Sequence, residues 1–150
     1  MTASLSQRIP NDVIRRIEQV VGTQGMITDP AEMEPYVADW RGVYRGNAAA
    51  IVRPASTDEV AKVVRICAET GTPIVPQGGN TGMCMASVPR EGGNDIVVAL
   101  TRMNRIRNVD PLNNTLTAEA GVVLANIQSC LLYTSPSPRD TERSRMPSSA

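Results

Sequence analysis

The sequence predicts an α+β protein organised around an α/β-type layer, a small parallel sheet with flanking helices. Three observations carry this. An amphipathic helix is expected over residues 57–70, between two short apolar runs at 48–52 and 73–75. A strand–helix–strand order of that length implies a right-handed crossover and two parallel strands. A third run, Ile96-Val97-Val98-Ala99-Leu100 behind Asp95, is continuously apolar, as in a strand buried on both faces.

The elements follow in order. Val13, Ile14, Ile17, Val20 and Val21 repeat with a helical period, and Gly22 is a natural stop. Asp29-Pro30-Ala31-Glu32 has the form of a helix start, with an acceptor cap, proline in the first turn and a glutamate able to bond back. Residues 38–46 read as a loop holding the only tryptophan, Trp40, with Arg41, Arg45, Gly42 and Gly46. Such a loop either binds a ligand or is pinned onto the domain. The run 48–52 is a strand whose end Pro54 marks. Ser56 and Glu59 form a capping box, Val60, Val63, Val64 and Cys67 share one helix face, and Gly71 stands at the C′ position. Residues 104–109 and 115–120 flank Asp110-Pro111-Leu112-Asn113-Asn114, a hairpin-like connection. Val123, Leu124 and Ile127 then open a further helix.

Composition narrows the possible functions. The chain has 150 residues with 41% apolar content, and one Trp, three Tyr and no Phe make the core aliphatic. Fifteen basic residues balance fifteen acidic ones, so no feature points to nucleic acid or an anionic membrane. No apolar run reaches the roughly 20 residues of a membrane span, and the N-terminus lacks the pattern of a secretory signal. Cys67, Cys84 and Cys130 are odd in number and lack close spacing, which argues against a disulfide framework or zinc site and for a reducing, cytoplasmic setting. No metal is expected. There is no histidine, so the commonest general base near neutral pH is missing.

The chemistry-bearing stretch is Pro76-Gln77-Gly78-Gly79-Asn80-Thr81-Gly82. Its glycines permit positive φ and close approach of backbone to a ligand. Successive amides can converge on a phosphate or pyrophosphate, and Asn80 and Thr81 add short polar side chains. On composition alone a tight polar turn is an equal reading. No helical period follows Gly82, because Pro89 and Gly92-Gly93 interrupt it, which excludes the dinucleotide fold whose glycines open a long helix.

From Leu131 onward the character changes: five Ser and three Pro fall in the last twenty residues. This segment, 131–150, is expected to be a disordered tail or a non-native one, since it resembles translated sequencing-adaptor read-through.

The stretches VRPASTDEVAKVVRICAETGTPIVPQGGNTG, SVP, DIVVALTRMNRI and VDPLNNTLTAEAGV, in this order, resemble flavoenzymes with a vanillyl-alcohol-oxidase (PCMH)-type FAD-binding domain. The upstream YVADWRGVYRG is most similar to the D-2-hydroxyglutarate dehydrogenase, D-lactate dehydrogenase and glycolate oxidase branch. The resemblance implies a helical lead-in at 1–47 and, at 48–130, a truncated FAD-binding domain comprising its first, α/β-type subdomain. It implies that residues 76–82 hold the FAD pyrophosphate, that Ala86, Ser87 and Val88 line the second side of that pocket, and that Gly121 lies toward the flavin. One departure stands out: relatives usually carry Gly-Gly before Ser87, where this chain has Met85-Ala86.

The activity implied is oxidation of a D-2-hydroxy acid to a 2-oxo acid, with electrons passed to a separate acceptor. Catalytic residues are expected outside this chain, and the oligomeric state is open. The alternatives are a sugar-alcohol oxidase or nucleotide-sugar reductase of the same fold, or an inactive phosphate-binding fragment.

Overall fold

The computed structural model describes residues 9–134, with side chains through Leu131. These form two compact units that divide between Met103 and Asn104. The first holds the parallel sheet. The second holds a hairpin and a helix.

In the first unit, α1 (Asn11–Val21) is followed by the two-residue strand β1 (Met26–Ile27). Then come α2 (Pro30–Val37), β2 (Ala48–Val52), α3 (Thr57–Thr70), β3 (Ile74–Gln77) and β4 (Asp95–Ala99). The strand order is β1-β2-β4-β3, with β2, β4 and β3 parallel and β1 antiparallel at one edge. The two strands of the expected crossover are therefore parallel but not neighbours, because β4 inserts between them. Its burial explains the place: every residue from Asp95 to Ala99 is buried, which only a central strand achieves. Strand β1 has no signal in the sequence, since two residues show no periodicity.

Alternation of side chains assigns the two faces. Ala50, Val52, Ile96 and Val98 point to one face, where Val13, Ile17 and Val21 of α1 meet Val63, Ile66 and Cys67 of α3. Ile51, Val97 and Ala99 point to the other, under Met33 and Val37 of α2. Segment 1–47 thus contributes a helix to each face and a strand to the sheet. The caps are those expected: Asp29 accepts from the Ala31 amide, Ser56 from the Glu59 amide, and Gly71 takes the left-handed conformation at φ 64°.

In the second unit, β5 (Ile106–Asp110) and β6 (Thr115–Ala118) form an antiparallel hairpin. Asp110 accepts from the Leu112 and Asn113 amides across the turn. Helix α4 spans Leu124–Thr134, so it passes Leu131, where the sequence reading began the tail. Residues 135–150 of that expected tail lie outside the described residues.

Candidate functional site

The glycine-rich segment leaves the carboxyl end of β3, where open α/β sheets present their ligand crevice. Three carbonyls at the end of α2 decide its course. A helix end leaves such carbonyls without intrahelical partners. Gln77 Nε2 donates to Tyr36 O at 2.9 Å, and Asn80 Nδ2 donates to Ala38 O at 2.7 Å and, at the distance limit, to Pro35 O at 3.5 Å. The Gly46 amide donates to Val37 O at 2.8 Å. The glycine loop and the 38–46 strap therefore cap the same helix.

The loop is also closed on itself. Gln77 Nε2 donates to Ser87 O at 2.7 Å, and Ser87 Oγ donates to Asn80 Oδ1 at 2.9 Å. Gln77 is 2% exposed and Val88 is buried, so the two ends of the loop are anchored in the interior. Pro76, Gly78, Gly79, Thr81, Gly82 and Ala86 are exposed. The expected residues thus divide into anchors (Gln77, Asn80, Ser87 and Val88) and a displayed rim. Asn80 was expected to offer its side chain to a phosphate, but that amide group is engaged in capping α2 and in holding Ser87. Gly121 belongs to the second unit, in the turn before α4.

The glycines behave differently from expectation. None of Gly78, Gly79 and Gly82 has a positive φ; in this loop the left-handed residues are Asn80 at φ 53° and Met85 at φ 59°. Asn tolerates that region through its short polar side chain, and Met85 is one of the two residues that depart from the Gly-Gly pair usual in the resembled family. A Cβ at Gly78 would meet nothing within 4 Å, at Gly79 only Thr81 Cγ2 at 3.9 Å, and at Gly82 only Ser87 Oγ at 3.7 Å. Neither backbone conformation nor internal packing demands glycine at these positions. Among the described residues, no partner within the chain is found for the amides of Gly79, Thr81 and Gly82. The rim is a row of bare, donating backbone, which fits an anionic group brought into close contact.

The strap braces the loop from the side. Asp39 is 4% exposed and accepts from the Tyr44 amide at 2.7 Å and from Arg41 Nε at 3.3 Å. The Tyr44 amide, opposed by burial and aided by Arg41, holds its carboxyl below the ordinary range. Arg41 Nη2 donates to Met83 O at 3.2 Å. The expected pinning role thus falls to Asp39 and Arg41, while Trp40 remains 57% exposed. The Asp-x-x-Gly spacing before a loop was the available signal for Asp39. At the loop exit, Asp95 accepts from the Arg90 amide at 2.7 Å and from its guanidinium at 2.6 Å. Burial works to raise the Asp95 pKa, but the Arg90 bonds outweigh it and keep the carboxyl low. A separate concavity of about 460 Å³ lies at the amino ends of β2 and β4. Among the described residues its lining includes Asn11, Asn47, Glu91 and Asn94 and no cationic side chain.

A family model described as "FAD binding domain" matches residues 48–140. The chain is 34% identical over 119 residues to a protein of Oryza sativa subsp. indica named probable D-2-hydroxyglutarate dehydrogenase, mitochondrial, covering 79% of this chain and 21% of the relative. It is 32% identical over 134 residues to the glycolate oxidase subunit GlcD of Bacillus subtilis (strain 168), covering 87% and 28%. Its fold is similar to that of p-cresol methylhydroxylase with substrate bound, at a TM-score of 0.69 and 21% identity over 83% of this chain and 24% of that one. The chain spans between a fifth and three-tenths of the length of these curated relatives.

Proposed function

The chain belongs to the FAD-binding-domain family whose model covers residues 48–140, and from that premise we propose that residues 76–82 cradle the FAD pyrophosphate in a flavin-dependent oxidoreductase acting on a D-2-hydroxy acid. The observation that carries the cradle is the glycine triplet: a Cβ at Gly78, Gly79 or Gly82 has room within the protein's own fold. What glycine supplies there is surface for a ligand. Ala86 lies on the same exposed rim, and Gln77, Asn80, Ser87 and Val88 keep the rim in shape. The place of Gly121 on the flavin side rests on the sequence resemblance alone.

When bound, FAD supplies a two-electron acceptor for oxidation of the substrate carbinol. This chain's residues bind and orient it. A 2-hydroxy acid as substrate and a separate electron acceptor are inferred from the dehydrogenases and oxidase the chain resembles. A reducing compartment belongs to the same reading, because Cys67, Cys84 and Cys130 are odd in number and lack close spacing. The cytoplasm meets that condition, several matched relatives are named as mitochondrial, and subcellular fractionation decides between them. Among the described residues, no helix is long and apolar enough to cross a membrane.

Gly79→Asp tests the cradle. It places a carboxylate on the rim with ample room, so the fold persists and the flavin is repelled. Titration with FAD is expected to show weak uptake by the parent, which holds only part of the FAD-binding domain, and its loss in the variant. Equal uptake by both chains overturns the assignment.

A further inference from the structure

Resting on the FAD reading above, we infer that Arg41 supplies the charged contact to the pyrophosphate on the glycine loop, and that Asp39 aims it. Backbone amides offer dipoles but no net charge, whereas a pyrophosphate diester is a dianion. No helix starts at this loop, so no macrodipole supplements the amides. Among the described residues, Arg41 is the one cationic side chain hydrogen-bonded to segment 78–88. Its bond is to the carbonyl of Met83, the residue directly after Gly82.

The guanidinium is held at two points, with Nε on Asp39 Oδ2 and Nη2 on Met83 O. A guanidinium has five N–H donors in a rigid fork, so donors remain for a further acceptor. The Arg41 side chain is 35% exposed and its Asp39 partner 1%, which puts the anchor inside and the cation at the surface. Gly42, at φ 69°, turns the strap back so that its amide donates to Asp39 O at 2.9 Å. Asp39 makes no hydrogen bond to the loop, and its carboxylate is occupied by the Tyr44 amide and Arg41. A carboxylate–guanidinium pair of this kind orients the arginine as a fork toward phosphate oxygens.

The test uses the 150-residue chain, titrated with FAD and with ADP, whose pyrophosphate is a monoester with a further ionisable oxygen, at about 0.05 M and about 0.5 M salt. Arg41→Met is expected to weaken both ligands about 10- to 100-fold at low salt, the size of a charge-assisted bond, and to flatten the salt dependence. Arg41→Lys keeps the charge and is expected to retain that dependence with part of the affinity. If Arg41→Met melts far below the parent, Arg41→Lys against Arg41→Gln carries the comparison instead. An Arg41→Met chain that binds like the parent, or loses affinity equally at both salt concentrations, overturns the inference. Gly79→Asp separates the two readings. If Gly79→Asp loses FAD and Arg41→Met keeps it, only the role of Arg41 falls; if the parent takes up neither ligand, the FAD reading falls and this inference with it.

Discussion

Replacing Gln77 tests the claim that side-chain amides fix the glycine loop. Its one Nε2 group serves Tyr36 O at 2.9 Å and Ser87 O at 2.7 Å, and the residue is 2% exposed. Gln77→Leu keeps the approximate volume and removes both bonds. Each carbonyl then loses its donor in a half-buried position, where partial access of water keeps the cost near the lower end of the range, about 1–2 kcal/mol apiece. The expected loss is about 2–4 kcal/mol. With a urea dependence of about 2 kcal/mol per molar, the unfolding midpoint falls by about 1–2 M in far-UV circular dichroism. Gln77→Glu sharpens the test, because it puts a carboxylate against two carbonyl oxygens. The folded state then favours the protonated acid, and its pKa rises above the unfolded value of about 4.3. The variant's stability is therefore greatest below that pH and falls by up to about 1.4 kcal/mol per pH unit as pH rises toward the folded pKa. A Gln77→Leu midpoint within about 0.3 M of the parent, or a Gln77→Glu deficit that does not grow with pH, refutes the reasoning.

Two further outcomes are expected. A Cβ at Gly46 would stand 1.7 Å from Pro89 O, so Gly46→Ala must push the strap off the loop exit. Thermal unfolding should show a loss of about 3 kcal/mol or more, the upper range of overpacking. In the hairpin unit, the Arg105 side-chain and backbone bonds bring the Glu119 carboxyl from 4.5 down to about 2. A depressed pKa means that the folded state binds fewer protons, so this contribution is present above about pH 4.5 and lost as pH falls toward 2. Glu119→Gln should flatten the acid limb of the stability curve over that window, measured by the circular dichroism of the pH series.

Much of the fold is written locally. Helix α3 was readable at both ends, because Ser56 and Gly71 act through bonds to residues within a few positions. The same holds for α1, for the Asp29 cap of α2 and for the burial of β4. The glycine-rich segment was also readable, since composition alone marks a loop able to meet phosphate. Of the two reasons expected for its glycines, positive φ and close approach to a ligand, the structure puts the first on Asn80 and Met85 instead and leaves the second.

The sequence by itself determined the elements other than β1 and the family pattern around the loop, while the structure sorted Ala50 and Val52 from Ile51. Only the tertiary structure decided that β4 lies between β2 and β3, since strand order depends on which strand can lose water on both faces. It also decided that Gln77 and Asn80 face inward to cap α2, and that Arg41 reaches Met83 across 42 positions of sequence. Those bonds join segments far apart in the chain, and nothing in the local pattern of either segment encodes its partner.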